Sequence, residues 1–155
     1  MDSVLHFPAK KIRAEYIADY IRAAGYHGAV VFGCGNGAQA LRDCGITVID
    51  ISPRGELVPT RWWQPEEIAR VWPNYFDATS GHLPAWMMIE IGKKFREHIG
   101  DDLSECYVPS GSGETIVCLR WAYPGIKLSP IYNLDEATQY SENSPLNFLV
   151  SQGAD

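Results

Sequence analysis

The stretch that decides the fold is GAVVFGCGNGAQALRDCGITVIDI, residues 28–51. It opens on an apolar run, Gly28 to Phe32, without the polar alternation of a half-exposed strand. Such a run is typical of a strand that is covered on both faces, as in a parallel sheet. A glycine-rich turn over 33–37 leads into a short helix from Ala38 to Cys44, and Ile46 to Ile51 is a second apolar strand. This order predicts a βαβ unit.

A helix precedes this unit and a similar arrangement follows it. Apolar residues recur at three- and four-residue steps from Pro8 to Ala24, and we expect the charged residues between them, Arg13 included, to fill the other face. The second half repeats the order helix, strand, glycine turn, helix, strand. Its segments are Ala85 to Ile99, Glu105 to Val108, Pro109 to Gly113, Glu114 to Ala122 and Ile126 to Tyr132.

The two repeats predict one small α/β domain over 1–155, with similar halves at 8–52 and 84–133. We expect three layers, with helices on both faces of a mainly parallel sheet of short strands. The connecting segment 53–83 carries a brief predicted helix from Pro65 to Trp72, because proline and acidic residues suit a first helical turn. Tyr75 to Ser80 fits a short strand or a loop.

Composition excludes several classes of protein. The 155 residues carry 13 Lys and Arg against 19 Asp and Glu, a net charge of −6, so binding to nucleic acid mainly by charge is not expected. No apolar run is long enough to span a membrane. The four cysteines show no CxxC spacing and no histidine pairs with Cys or Asp at ligand spacing, so neither disulfides nor a metal site are expected. This usage predicts a cytoplasmic protein.

Both glycine turns point to anion binding. A strand that ends in glycines and enters a helix presents free backbone N–H groups at the positive end of the helix dipole, and phosphate is the common ligand there. Two such turns at the carboxyl ends of parallel strands would lie where open α/β sheets bind ligands. The alternative is that both are tight turns that bind nothing.

Short motifs in both halves resemble the pyridoxal-phosphate enzymes of fold type II, the group of the tryptophan synthase β-subunit, cysteine synthase and threonine synthase. Lys11-Ile-Arg13-Ala opens the first helix, and Gly33-Cys-Gly-Asn-Gly-Ala-Gln-Ala-Leu41 is similar to the family's Ser-x-Gly-Asn turn and its alanine-rich helix. Glu90-Ile91 lies in a helix, and Tyr107-Val-Pro-Ser-Gly-Ser-Gly-Glu-Thr115 is similar to the glycine-rich phosphate loop.

The resemblance implies a role for each matching residue. Lys11, or its neighbour Lys10, would form the Schiff base with the cofactor aldehyde. Asn36, with Gly35 beside it, would bind the ring hydroxyl. The phosphate would be held by Gly111, Ser112, Gly113 and Thr115. The implied activity is elimination or replacement on a small amino-acid substrate, by a lyase or synthase that we expect to be a homo-oligomer.

A second resemblance competes with the first. Gly33-Cys-Gly-Asn-Gly37 followed by Asp50 is similar to the S-adenosylmethionine methyltransferases, in which a GxGxG turn follows the first strand and an acid ends the second. Such an acid accepts hydrogen bonds from ribose hydroxyls, and the spacing from 33 to 50 is 17 residues, near the ~20 of nucleotide-binding folds. A third reading is a non-catalytic binding protein that kept the fold, since Glu114 beside the second turn opposes a phosphate.

Two further segments carry polar or aromatic groups. Asp77 to His82 is a polar cluster that could supply a base or a substrate contact, although turn chemistry alone would explain it. Arg61-Trp62-Trp63 could stack on a ring, but an aromatic core or an oligomer contact is the simpler interpretation.

Overall fold

The computed structural model describes residues 8–32, 37–51, 63–79, 81–103, 105–110 and 113–132. In this part of the chain the protein is α/β. The helices are α1 (Ala9–Ala24), α2 (Gly37–Asp43), α3 (Pro65–Val71), α4 (Ala85–Ile99) and α5 (Glu114–Ala122). The strands are β1 (Gly28–Val31), β2 (Val48–Asp50), β3 (Tyr75–Asp77), β4 (Glu105–Ser110) and β5 (Lys127–Tyr132).

Every described strand pair is parallel. The first sheet has the order β2-β1-β3, with Val31 opposite Asp50 and Val30 opposite Asp77. The second sheet is the pair β4-β5, with Glu105 opposite Lys127. The predicted parallel α/β fold with a βαβ arrangement in each half is therefore confirmed. The segment 53–83 adds the strand β3 to the first sheet beside β1.

The chain divides into two compact units. The continuous unit is Arg13–Leu83, and the discontinuous unit combines the residues through Ile12 with those from Pro84 onward. The boundary falls within α1, so its first turn with Lys11 is grouped with the second half of the chain, whereas the helix from Arg13 onward belongs to the first.

The hydrophobic core of the continuous unit surrounds the central strand β1. Val30 in β1 and Ile68 in α3 are fully buried. Tyr20 of α1 meets Phe76 of β3 edge to face, with ring centroids 5.3 Å apart. β3 has only three residues and therefore buries little apolar surface. The edge-to-face contact gives its packing against α1 a specific geometry.

The discontinuous unit depends on a close approach of α4 to α5. A Cβ on Gly92 would lie under 3.0 Å from the carbonyl oxygen of Cys118, so only glycine allows this helix separation. The guanidinium of Arg96 donates to the carbonyl of Ala122 at 2.5 Å and lies 4.9 Å from the ring centroid of Tyr123. Phe95 is fully buried in the same helix.

The described helices include none that is long and apolar enough to cross a bilayer.

Candidate functional site

Two places in the fold bring the predicted site residues to the ends of strands. The first is the carboxyl edge of the three-stranded sheet, where Asp50 ends β2 and Asp77 ends β3. Backbone bonds hold these ends to the central strand, because Ile51 donates to Val31 and Ala78 donates to Val30, both at 2.9 Å. Gly35 and Asn36 follow β1, but they lie outside the described residues.

Asp50 occupies the position that the methyltransferase resemblance requires. It is the last residue of β2, it is half-buried, and it takes part in at least one further interaction.

Arg13 corrects one expectation from the sequence. We expected it on the charged face of α1, but it is buried with 6% of its surface exposed. A Cβ on Gly37 would lie 4.0 Å from its Nη2, so the guanidinium stands beside the first residue of α2, directly after the glycine turn. A buried guanidinium requires partners, and Arg13 has one. The signal in the sequence is its place on the same helical face as Ile17.

The loop after β3 gathers three polar side chains. Asp77 accepts the backbone N–H of Thr79 at its Oδ1, at 3.0 Å, and its Oδ2 lies 2.8 Å from Nδ1 of His82. The two side chains of this Asp–His pair are only 20% and 18% exposed. Thr79 is buried, and its hydroxyl finds no hydrogen-bond partner in the part of the chain that the structure describes.

The second place is the turn between β4 and α5. Gly113 is buried and is the N-terminal cap residue of α5. Its φ of +105° is a left-handed conformation that is strained for any residue with a side chain. The cap position makes no side-chain hydrogen bond. Thr115 is buried in the first turn of α5. Gly111 and Ser112 lie outside the described residues.

Glu114 occupies the first position of α5 and is also buried, at 5% exposure. A carboxylate there interacts favourably with the helix dipole, which is the same positive end that a phosphate would use. Its burial was not evident from the sequence, since acidic residues in a first turn are usually exposed.

Lys11 lies in the first turn of α1 and is exposed, whereas Lys10 is half-buried. The structure groups Lys11 in one compact unit with Gly113 and Thr115.

Among the described residues, no group of three His, Cys, Asp or Glu side chains is placed to hold a metal ion. Comparison with models of known protein families, with curated proteins and with solved structures finds no match for this chain.

Proposed function

We propose that the protein binds pyridoxal phosphate and uses it in elimination or replacement reactions of amino acids. The observation that carries this proposal is the placement of Lys11 in the same compact unit as the β4–α5 turn. A lysine that bonds to the cofactor aldehyde and a turn that holds its phosphate must belong to one body, although Gly113 of the turn lies 102 positions after Lys11 in the sequence (113 − 11).

The residues of the turn fit a phosphate in part. Gly113 removes the Cβ that would block the approach of a ligand to the start of α5, and Thr115 adds a hydroxyl in the first helical turn. The negative charge of Glu114 repels a phosphate. The carboxylate must therefore point away from the ligand or be protonated when the ligand is bound. The predicted roles of Gly35, Asn36, Gly111 and Ser112 stay predictions.

The chain's own residues would have three tasks. Lys11 would hold the cofactor covalently and then accept or return a proton at its Nζ, because a freed amine beside the substrate is a base. Thr115 and the N–H groups at the start of α5 would orient the phosphate. The bound cofactor would supply an electron sink for charge that develops on the amino acid. The substrate class, the homo-oligomer and the cytoplasmic setting remain part of this proposal.

The test is covalent capture at a single lysine. Protein incubated with pyridoxal phosphate and freed of excess should be yellow, and borohydride reduction should fix the label on Lys11. Lys11→Arg should lose the colour and the label, while Lys10→Arg, the adjacent matched control, should keep both. Label spread over exposed lysines such as Lys93 and Lys127 would instead show nonspecific reaction and overturn the proposal.

Glu114 gives a second test of the same site. Glu114→Gln keeps the side-chain shape but removes the charge at the start of α5, so it should tighten pyridoxal phosphate binding. An unchanged or weaker affinity, measured by the visible absorbance in a titration, would place the phosphate elsewhere.

One observation favours a second candidate function, binding of S-adenosylmethionine by the continuous unit. In the strand order β2-β1-β3, the two later strands lie on opposite sides of β1. Open parallel sheets bind nucleotides at such a point, outside the carboxyl ends of the strands. Asp50 ends β2 at that edge. The ligand should raise the thermal unfolding midpoint, Asp50→Ala should abolish the rise, and Asp102→Ala, at an exposed acid in the other unit, should retain it. A protein that neither cofactor stabilises would be the non-catalytic binding protein.

A further inference from the structure

The loop after β3 contains an arranged Asp–His pair that neither proposed cofactor requires. Asp77 uses both carboxylate oxygens, one for the Thr79 backbone N–H at 3.0 Å and one for Nδ1 of His82 at 2.8 Å. His82 also donates its own backbone N–H to the carbonyl of Thr79 at 2.9 Å. The backbone bond holds the main chain of His82 to Thr79, and the contact with Asp77 orients its imidazole.

This geometry determines which ring nitrogen carries the proton. An ionised carboxylate only accepts hydrogen bonds, so Nδ1 of His82 must be the N–H that donates to Asp77. In the neutral imidazole the lone pair is then on Nε2, and the structure records no partner for Nε2 among the described residues. A carboxylate that orients an imidazole in this way leaves Nε2 ready to accept a proton.

A second, independent observation points to a ligand beside the pair. Thr79 is 5% exposed, and its hydroxyl has no partner in the described part of the chain. Buried hydroxyl groups nearly always have a partner in folded proteins, either protein or bound molecule. This hydroxyl, two residues after Asp77 and three before His82, is a buried polar group beside the pair that a bound molecule such as water can satisfy.

The place in the fold is also one where ligands bind. Asp77 is the last residue of β3, next to the central strand β1, at the reversal of the strand order. Asp50 ends β2 on the other side of β1. The edge is rich in hydrogen-bond acceptors, and two carboxylates there disfavour an anionic group in contact with them.

We propose that Nε2 of His82 is a proton-accepting site for a small hydroxyl-bearing ligand, an alcohol or water, with Asp77 as the positioning residue. The O–H bond of the ligand breaks as the N–H bond forms at Nε2. The electron pair stays on the oxygen, which bonds to the acyl carbon of an ester as the alkoxide or phenoxide of that ester leaves. The positive charge that develops on the imidazole is stabilised by Asp77. The proposal goes beyond both cofactor proposals and does not rest on either of them.

The first test uses diethyl pyrocarbonate as the probe, with peptide mapping to follow each histidine. Nε2 attacks the carbonyl carbon, the C–O bond of the anhydride breaks, and ethyl carbonate leaves. In the folded protein His82 should react at a rate comparable to that of exposed His27. A folded protein in which His82 stays unmodified, while the unfolded chain reacts, would overturn the proposal, because Nε2 would then be inaccessible to small molecules.

Asp77→Asn is the sharp variant. In this variant the backbone N–H of Thr79 still needs an acceptor, so the Asn oxygen faces Thr79 and the Asn NH₂ faces Nδ1 of His82. Nδ1 must then accept a hydrogen bond, which moves the ring proton to Nε2. The reaction of His82 should slow about tenfold or more, since a wrong tautomer removes the lone pair. His27 is the internal control and should not change. An unchanged His82 rate would exclude the positioning role of Asp77.

The second test probes the unprotonated Nε2 with p-nitrophenyl acetate, which releases nitrophenolate whether Nε2 attacks the ester or accepts a proton from an attacking water. Protein-dependent release of nitrophenolate should fall in both His82→Gln and Asp77→Asn, and by more than in His27→Gln, which removes an exposed imidazole that has no carboxylate partner among the described residues. This test needs only one of the two loop variants to fold, which circular dichroism checks. Equal rates in the wild type and His82→Gln would overturn the proposal.

Discussion

Thr79 and Thr115 are buried to nearly the same degree, at 5% and 3% exposure. The Thr79 hydroxyl has no partner among the described residues, whereas Thr115 interacts with a neighbouring group. A buried hydroxyl without a hydrogen bond keeps its desolvation cost, and a satisfied one offsets it.

Thr79→Val should therefore stabilise the protein by up to about 1 kcal/mol, because it removes an unpaired polar group without changing the shape of the side chain. Thr115→Val is the matched control and should destabilise by about 1 kcal/mol. Urea denaturation of the two variants measures both values. A loss of stability in Thr79→Val would mean that the hydroxyl is satisfied in solution by a bound molecule such as water.

Cys44 shows how a local environment sets reactivity. Burial raises the pKa of its thiol above the usual 9.0, the charge of Glu15 raises it further, and Arg22 lowers it. Because the folded pKa lies above the unfolded one, the thiol form's contribution to stability is complete below pH 9.0 and is lost as the pH rises through the folded pKa.

Alkylation of Cys44 by iodoacetamide near pH 8 should thus be slower in the folded protein than in the unfolded chain. Glu15→Gln should speed it, since one opposing charge is gone. Peptide mapping separates Cys44 from the other cysteines, and a folded rate equal to the unfolded rate would contradict a raised pKa of the Cys44 thiol.

At the scale of elements, the contact between α4 and α5 depends on one glycine. The Cβ of an alanine at Gly92 would overlap the backbone carbonyl of Cys118, and backbone cannot rotate away as a side chain can. Gly125 is the matched position, since a Cβ there meets nothing within 4 Å.

Gly92→Ala should lower the free energy of unfolding by about 1–3 kcal/mol through overpacking, although alanine is the better helix former. Gly125→Ala should be near neutral. Thermal and urea unfolding provide the measurement. Equal stability of the two variants would show that α4 and α5 can separate at little cost.

The elements that the sequence predicts well are those with a local signal. α4 and α5 have the predicted bounds, because apolar periodicity and a following glycine or proline define them without help from distant residues. β3 could not be decided between strand and loop, since three residues become a strand only by pairing with β1, more than 40 positions earlier. Non-local pairing leaves little trace in a short segment.

The candidate site residues also fall into two groups, those that a local signal predicts and those that depend on the folded structure. The exposure of Lys11 and the positive φ of Gly113 follow from helix periodicity and from the glycine itself. The burial of Arg13 and Glu114 and the hydrogen bond between His82 and Asp77 depend on the folded structure. The sequence placed Asp77 and His82 in one polar cluster, but only the fold distinguishes an oriented pair from a turn.

At the scale of the whole molecule, the division into two units separates the two proposed cofactors. The proposed phosphate turn and Lys11 belong to the discontinuous unit, and the carboxyl edge with Asp50 belongs to Arg13–Leu83. A ligand that binds only the folded form slows hydrogen exchange most at the backbone amides of its own binding site.

Hydrogen exchange with mass spectrometry should therefore locate the ligand. Pyridoxal phosphate should slow exchange in peptides over 105–122, and S-adenosylmethionine should slow it in peptides over 28–51. At a ligand concentration of 100 Kd, amides that exchange only by opening the site should slow by about 100-fold, or about 2.7 kcal/mol. Lys11→Arg should remove the first effect and Asp50→Ala the second. Protection by pyridoxal phosphate confined to 28–51 would contradict the assignment of its phosphate to α5, because the slowed amides would then belong to the wrong unit.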